Sequence, residues 1–514
     1  MAERVRIELR PLGRSIDVER GMELRDVLYD LGVEFPCGGK GQCKRCRVQL
    51  LEGELAPSDA ELQFLSAEER DAGWRMACRG RVQGPLTLKV EQHEAEILGD
   101  RSRLDFEPMT GLGVAVDLGT TTLVAQLVDL ATGRILASES ALNPQVAYGS
   151  DIMHRLQFAL DGAGGSKLVT LIREAVGGLV ARALESGART HADESPLAAL
   201  NRVVVVGNTA MHHLFSALEV ERLARYPFES EHSGLQEFSA DELAWRIGAD
   251  VPVRVLPCFG GFVGSDILAG ILATRMHEDA ALTALIDLGT NGEIVIGSSE
   301  RLICASTAAG PAFEAGGIEQ GMRAVHGAID QVDVGERDVR CHVVGGGEAR
   351  GICGSGVVDA VAAALELGWL EPSGRLATGH ARIPLAGAVH VSQADVRQLQ
   401  LAKGAIAAGV RILLTLLGKS ASDLQRIHLA GAFGNYIDHA SAERIGLMPR
   451  DAGPAKAVGN SALLGAKLAL FTADDSGWEF SELRERVEHV PLAASPDFQQ
   501  IFVEELQFPD SLSP

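Results

Sequence analysis

Near the N-terminus apolar side chains recur at two spacings. Val5, Ile7 and Leu9 alternate with charged residues, which predicts a strand, and Ser15–Val18 supplies a hairpin partner. Glu23–Leu31 carries apolar residues at helical spacing and stops at Gly32. A glycine- and cysteine-rich loop follows, then an alternating strand at Cys46–Leu51 and a last strand at Leu86–Val90. Residues 1–95 therefore read as one small α+β domain. Residues 96–112 are polar, end in Pro108 and Gly111, and read as a linker.

The rest of the chain repeats itself. The apolar run Gly113–Val116 leads into Asp117-Leu118-Gly119-Thr120-Thr121-Thr122, and Ala284–Ile286 leads into Asp287-Leu288-Gly289-Thr290-Asn291-Gly292. Each run continues into another strand, Leu123–Val128 and Glu293–Ile296. A second pair of strands ends in glycine: Val203–Val206 before Gly207-Asn208-Thr209, and Ile427–Ala430 before Gly431-Ala432-Phe433-Gly434. Helical spacing over Ser166–Ser186, Gly354–Leu367 and Ala394–Leu417 supplies crossovers. The prediction is a duplicated α/β domain, with halves at 113–282 and 283–514, facing itself across a cleft.

Composition narrows the function. A chain of 514 residues has room for several cores, and 46% hydrophobic with 23% charged residues is an ordinary globular balance. The net charge of −22 excludes unaided binding to nucleic acid or anionic membrane. The first ten residues have no apolar leader pattern, and no uncharged apolar run reaches ~18 residues, so a cytoplasmic protein without a membrane span is expected. The 58 glycines exceed the usual ~7% and predict tight turns or phosphate loops.

Four of the eight cysteines precede residue 80. Cys37-x5-Cys43-x2-Cys46 lies on one loop, and Cys78 stands apart from it. Four thiolates arranged in this way can hold a [2Fe–2S] cluster, three from a wrapping loop and one from a distant segment. Gly38, Gly39 and Gly41 let the loop turn its N–H groups toward sulfur. The alternative is a four-cysteine zinc site, which usually pairs two short hooks where this chain has one. Cys258, Cys304, Cys341 and Cys353 sit beside apolar residues and read as small core hydrophobes. His212 and His213 are adjacent in an expected helix, share no face, and make a poor metal pair. Asp474-Asp475 and Glu504-Glu505 read as solvated surface.

In the second region an aspartate at a strand end, followed by a glycine–threonine turn, offers backbone N–H groups and hydroxyls to phosphate oxygens. The aspartate can hold Mg²⁺ directly or through water. Two such loops from facing halves would clamp one nucleotide. Glu293 reads either as a catalytic carboxylate or as a solvent-facing strand residue.

Residues 1–95 resemble a [2Fe–2S] ferredoxin domain of adrenodoxin-like spacing. The duplicated region resembles the ATPases that include actin, heat-shock chaperones and sugar kinases, a ribonuclease-H-like α/β fold. By that resemblance Asp117–Thr122 is the first phosphate loop, Asp287–Glu293 the second, and Ile427–Gly434 the adenosine motif. Gly310-Pro311-Ala312-Phe313 and Gly351–Gly356, with Gly354 at the centre, wall the pocket. Asp117 and Asp287 lie near Mg²⁺ and the γ-phosphate, and either Asp287 or Glu293 orients the attacking water.

The fusion of the two parts resembles the reductive activators of corrinoid proteins. Further stretches agree: Asn143-Pro144-Gln145 with Gly149-Ser150-Asp151, Gly207–Met211, Ala305–Phe313 and Gly459-Asn460-Ser461-Ala462. The resemblance covers nearly the whole chain, although only a short linker stands where some members carry an extra domain. It implies ATP-dependent one-electron reduction of Co(II) corrinoid protein to Co(I), serving a methyltransferase system. The implied partners are the corrinoid protein, an external low-potential electron donor and a second copy of the chain. A plant-type [2Fe–2S] centre sits near about −400 mV, and the resemblance puts the cobalt couple lower still. A gap of roughly 120 mV would leave about 1% product, which is why ATP is needed. Alternatives are an ATP-driven activator of a radical dehydratase, a nucleotide-gated redox-sensing binding protein, and a sugar kinase. The last would not need the cysteines.

Overall fold

The structure, a computed structural model, describes residues 3–10, 14–29, 46–89, 106–149, 152–190, 200–248, 250–289, 291–324, 327–434, 436–472 and 478–510. Cys37, Cys43, the glycines between them, Thr290, Ser150, Asp151, Asp474 and Asp475 lie outside the described residues.

The N-terminal domain contains β1 (Arg4–Arg10), β2 (Arg14–Glu19), α1 (Leu24–Tyr29), β3 (Arg47–Glu52), α2 (Asp59–Phe64), α3 (Ala67–Asp71), β4 (Trp74–Met76) and β5 (Leu86–Lys89). They form one sheet in the order β2-β1-β5-β3-β4. Alternation in β1 buries Val5, Ile7 and Leu9 while the residues between them face out. β1 pairs antiparallel with β2 and parallel with β5. The short helices α2 and α3 begin in capping boxes, Ser58 with Glu61 and Ser66 with Glu69. The Ser-x-x-Glu spacing that signals them stands in the sequence.

The first half of the large domain holds β6 (Leu112–Leu118), β7 (Thr122–Asp129), β8 (Ile135–Leu142), α4 (Ile152–Leu160), α5 (Gly164–Thr190), β9 (Leu200–Gly207), α6 (Thr209–Ser216), β10 (Gln236–Ser239), β11 (Pro252–Val255) and α7 (Ser265–Thr274). The second half opens with β12 (Thr283–Leu288), β13 (Gly292–Ser298), β14 (Arg301–Thr307), β15 (Ala328–Val334), β16 (Val339–Val343), β17 (Gly351–Ile352) and α8 (Gly354–Glu366). It continues with β18 (Ile383–Pro384), β19 (His390–Val391), α9 (Gln393–Leu416), β20 (Arg426–Ala430), α10 (Gly431–Gly434), α11 (His439–Arg444), β21 (Ala455–Gly459), α12 (Ser461–Ala469), α13 (Trp478–Arg486), β22 (Val487–His489) and α14 (Phe498–Glu505).

The duplication is explicit in the strand order. The first sheet runs β10-β11-β9-β6-β7-β8 and the second β21-β20-β12-β13-β14-β22. In each, a central strand pairs antiparallel with the next two in a meander and parallel with a later strand: β6 with β9, β12 with β20. The two aspartates therefore end topologically equivalent central strands. Such parallel strands are covered on both faces, and β9 accordingly reads Val203-Val204-Val205-Val206, fully buried.

Helices α7 and α12 fill the space between the two sheets, and their side chains share one core with Ala115, Val206, Leu285 and Ala430. Their contact is backbone to backbone. A Cβ built on Gly465 of α12 would lie 1.9 Å from the Ala269 carbonyl oxygen of α7. Helix α9 is long and apolar enough to cross a bilayer, yet 72% of its apolar window is buried inside the second half. The described part of the linker is seated: Phe106 rests on Phe471 with ring centroids 4.5 Å apart.

Candidate nucleotide and cluster sites

The two central strands deliver Asp117 and Asp287 to the cleft between the halves. The loop after Asp117 is held from two sides. Asn143 Nδ2 donates to the Gly119 carbonyl at 2.9 Å, and Asn208 Nδ2 donates to Thr120 Oγ1 at 2.8 Å. Both asparagines also cap the elements that carry them, through Gln145 N–H and Met211 N–H. Each thereby sets the turn and the neighbouring element in one register.

The second loop differs in one respect that matters chemically. In the first half Asp117 lies across the strand pair from Val124; in the second, Asp287 lies across from Glu293. Cross-strand partners point to the same face, so Asp287 and Glu293 face the cleft together. Ser306, next in register on β14, hydrogen-bonds Glu293 Oε1 at 3.4 Å. Glu293 is only 8% exposed, which corrects the solvent-facing alternative. Gly431, at φ +82°, lets the adenosine-motif segment turn over Asp287. A Cβ there would lie 2.6 Å from Asp287 Oδ1.

The inter-sheet helices each bring a polar group across to the other half. Asn460, the N-cap of α12, donates from Nδ2 to Asp117 Oδ2 at 2.7 Å. Asp266 lies in the first turn of α7, where the charges of both Asp287 and Asp117 act on it. Ser265 Oγ exchanges hydrogen bonds with the Gly207 N–H and carbonyl, tying that turn to the end of β9. Sequence reading missed Asp266. Its signal is an aspartate just after Gly264-Ser265 at a helix start, in the second copy of a strand–turn–helix unit. Asn460 stood in a quoted motif without a role.

Four carboxylates thus confront one another. Burial lifts Asp117 to about 6, against the pull of Asn460. Burial and then the Asp117 charge lift Asp287 to about 7. Burial, with Asp287 and Asp117, lifts Asp266 to about 8. Glu293 is raised well above its ordinary value by burial, Asp266 and Asp287. Such a cluster calls for a cation. Among the described residues no three His, Cys, Asp or Glu side chains converge closely enough to ligate one ion directly.

The pocket walls also meet. Phe313 stacks on Phe433 at 4.9 Å, and the chain approaches Phe313 so closely at Gly354 that a Cβ would lie 1.7 Å from its carbonyl oxygen. Gly310 takes φ +79° just before Pro311. The side chain of Ala432 is outside the described residues, as is Thr290.

In the N-terminal domain Cys46 and Cys78 are buried at the same end of β3 and β4. Arg47 pairs with Met76, and Ala77 N–H donates to the Cys46 carbonyl at 3.0 Å. Buried Glu61 of α2 accepts the Met76 N–H and fixes the approach to Cys78. Two buried cysteines on segments joined by that hydrogen bond fit half of a four-thiolate cluster site. Elsewhere, burial pushes Cys258 up to about 12 and Cys353 up to about 11, as expected of inert core thiols. Burial pushes His212 down to about 3 and His213 to about 4, so both are neutral core residues.

Residues 7–83 match the family profile of the 2Fe-2S iron-sulfur cluster binding domain, residues 112–279 that of the RACo middle region, and residues 281–513 that of the C-terminal domain of RACo, the ASKHA domain. The corrinoid activation enzyme RamQ of Eubacterium limosum is 30% identical over 98% of this chain and 98% of its own length. The chain belongs to the family of corrinoid activators. Within that family, the [Co(II) methylated amine-specific corrinoid protein] reductase of Methanosarcina barkeri is 28% identical over 77% of each chain. A solved structure of a reductive activator for corrinoid, iron-sulfur protein superposes with a TM-score of 0.69, at 25% identity, over 99% of both chains. In this chain an iron–sulfur domain is joined to an ASKHA-type ATPase fold.

Proposed function

We propose that this protein is an ATP-dependent reductase that returns inactive Co(II) corrinoid protein to Co(I). The observation that carries the reading is the joining, in one chain, of a cysteine-based cluster domain to a two-lobed fold whose cleft gathers four carboxylates. The full-length likeness to RamQ supplies the substrate class.

Cys37, Cys43, Cys46 and Cys78 would hold a [2Fe–2S] cluster, which supplies one low-potential electron at a time. Glu61 positions the Cys78 segment, and the buried surroundings of Cys46 and Cys78 exclude water from that end of the site. In the cleft, the turns Gly119–Thr122 and Gly289–Gly292 would offer N–H groups and hydroxyls to ATP phosphates. Gly310, Gly354 and the segment Gly431-Ala432-Phe433-Gly434 would line the adenosine side. Asp117 and Asp287 would hold hydrated Mg²⁺ from opposite halves, with Asp266 as a third acceptor. Glu293 is buried, and the Asp266 and Asp287 charges with that burial raise its proton affinity, which suits a general base. It would take the proton of the water that attacks the γ-phosphorus as the bond to ADP breaks. Only the second half carries a carboxylate at this cross-strand position, so one half acts as base and the other as clamp.

ATP assists an uphill transfer only if it changes how the protein binds its partner. Closure of the halves on nucleotide would favour one state of the Co(II) protein, and partner and ATP must then alter each other's affinity. The partner, an external low-potential donor, a homodimeric state and a cytoplasmic location belong to the same proposal.

The test is anaerobic. Protein, chemical reductant and a Co(II) corrinoid protein are mixed, and Co(I) absorbance is followed with and without MgATP. Co(I) appearing only with ATP supports the reading. Equal partner affinity and equal Co(I) yield with and without ATP would refute it.

A further inference from the structure

The cluster domain does not merely precede the ATPase fold; it is seated on the second half through a polar cluster. Arg25 of α1 donates from Nη2 to Asp330 Oδ2 on β15 at 2.9 Å, with both side chains largely buried. Arg25 also meets the ring of His342 on β16. His342 Nδ1 lies 2.6 Å from Asp330 Oδ1, and its Nε2 lies 3.3 Å from Glu23 Oε2. Glu23 in turn pairs with Arg81 at 2.7 Å, three residues after Cys78. Tyr436 of the second half also packs against the apolar core of the N-terminal domain. Two carboxylates, two arginines and a histidine, drawn from both domains, thus close on one another.

Both anchors on the second half are tied to the pocket walls. Ser355 Oγ, at the start of α8, donates to the Asp330 carbonyl at 2.8 Å, and Val332 N–H donates to Asp359 of the same helix at 3.3 Å. β15 pairs in parallel with Gly351-Ile352, the strand leading into Gly354. Tyr436 follows the adenosine-motif segment by two residues, and its N–H donates to the Phe433 carbonyl at 3.0 Å.

We propose that Glu23, Arg25, Asp330 and His342 form a latch that parks the cluster domain on the nucleotide lobe, and that nucleotide binding shifts the parked fraction through β15 and Tyr436. The ferredoxin face that leads into the cysteine loop is occupied by the protein's own second half while parked. The coupling rests on the nucleotide-site reading above; the parking does not. A burial-dependent charge cluster is a suitable switch, because removing one partner leaves the others buried and unpaired.

The experiment uses the full chain with donor and acceptor dyes on non-natural residues at exposed Glu8 and Leu416, leaving every cysteine in place. Single-molecule transfer efficiency reads the parked and unparked populations, and cluster absorbance and melting check that variants are folded. Arg25→Glu and Asp330→Arg should each raise the unparked-to-parked ratio roughly tenfold or more. The double variant Arg25→Glu/Asp330→Arg should bring it back to within about threefold of the unaltered protein, as paired residues do in a double-mutant cycle. Unchanged single variants, or a double variant no better than the singles, would overturn the latch. A non-hydrolysable ATP analogue with Mg²⁺ should change the ratio in the unaltered protein by at least about threefold. Binding of the analogue, seen by calorimetry, with no change in ratio would overturn the coupling. No binding at all would instead overturn the nucleotide site on which the coupling rests.

Discussion

Replacing Asp287 with asparagine should stabilise the cation-free protein while abolishing its ATPase. In the folded protein Asp287 titrates at about 7, against an ordinary 3.8. A group whose folded pKa is raised contributes stability that is present below about 3.8 and is lost as pH rises toward 7. Above pH 7 the ionised carboxylate therefore destabilises the native state. A rise from 3.8 to about 7, at 1.36 kcal/mol for each tenfold change in acidity, corresponds to about 4 kcal/mol. Asp287 is half-buried and faces cleft water, whose screening leaves about 2 kcal/mol. Asparagine keeps the shape and never ionises. At roughly 2–4 °C per kcal/mol for domains of this size, the ATPase domain should melt about 4–8 °C higher at pH 8 without Mg²⁺. At pH 4 the gain should vanish, because the wild-type carboxyl is then largely protonated in the native state. Calorimetric melts at the two pH values, with chelator present, measure the difference. A variant that melts no higher than wild type at pH 8, or higher by the same amount at both pH values, would refute the picture of mutually repelling carboxylates.

Other outcomes follow from the same geometry. Mg²⁺ should raise the melting temperature of the wild type more at pH 8 than at pH 5, since protonated carboxyls at about 6 to 8 must ionise to hold it; equal shifts would contradict the assignment. Cys78→Ser should lose the visible absorbance of the cluster while calorimetric ATP binding persists. Glu61→Gln should weaken cluster retention during gel filtration without altering ATP turnover, because its carboxylate holds the Met76 and Ser58 N–H groups of the N-terminal domain and nothing in the cleft. Gly465→Val should cost about 3 kcal/mol or more in denaturant unfolding, as its side chain meets the Ala269 backbone rather than a movable rotamer. Asn460→Ala should lower ATP turnover about tenfold, measured by phosphate release, by removing the side-chain donor that Asp117 receives from across the cleft.

Much of the architecture was legible in residue order. The paired Asp-Leu-Gly-Thr stretches carry the duplication because each has an apolar run before it and an apolar run after it, and these become the central antiparallel pairs. The alternation of Val5, Ile7 and Leu9 identifies the ferredoxin hairpin for the same reason. What escaped was non-local. Asp266 sits at the start of a helix that carries no quoted motif, and its sequence position alone does not say that it will meet Asp287 across the cleft. The burial of Glu293 depends on Ser306 and the facing half, so periodicity alone left it ambiguous. Glu23, Arg25, Asp330 and His342 are separated by some 300 residues of chain and look like ordinary surface charges until the two domains touch. Helices α2 and α3 are a different case: their capping boxes stood in the sequence and went unread.

The way the second sheet is completed has a consequence during synthesis. β12, β13 and β14 form a local meander, but β20 and β21 join its one edge only after residues 426–459, and β22 covers its other edge only at residues 487–489. Until then the growing chain carries β14, whose residues Leu302–Ala305 are apolar and finally buried, as an open edge. An open apolar edge is a template for pairing with another chain. With ribosomes adding about 5–20 residues per second, the interval between β14 and β22 lasts on the order of ten seconds or more. The nascent protein is thus most prone to aggregate in the window between the two, and slowing translation there would widen it.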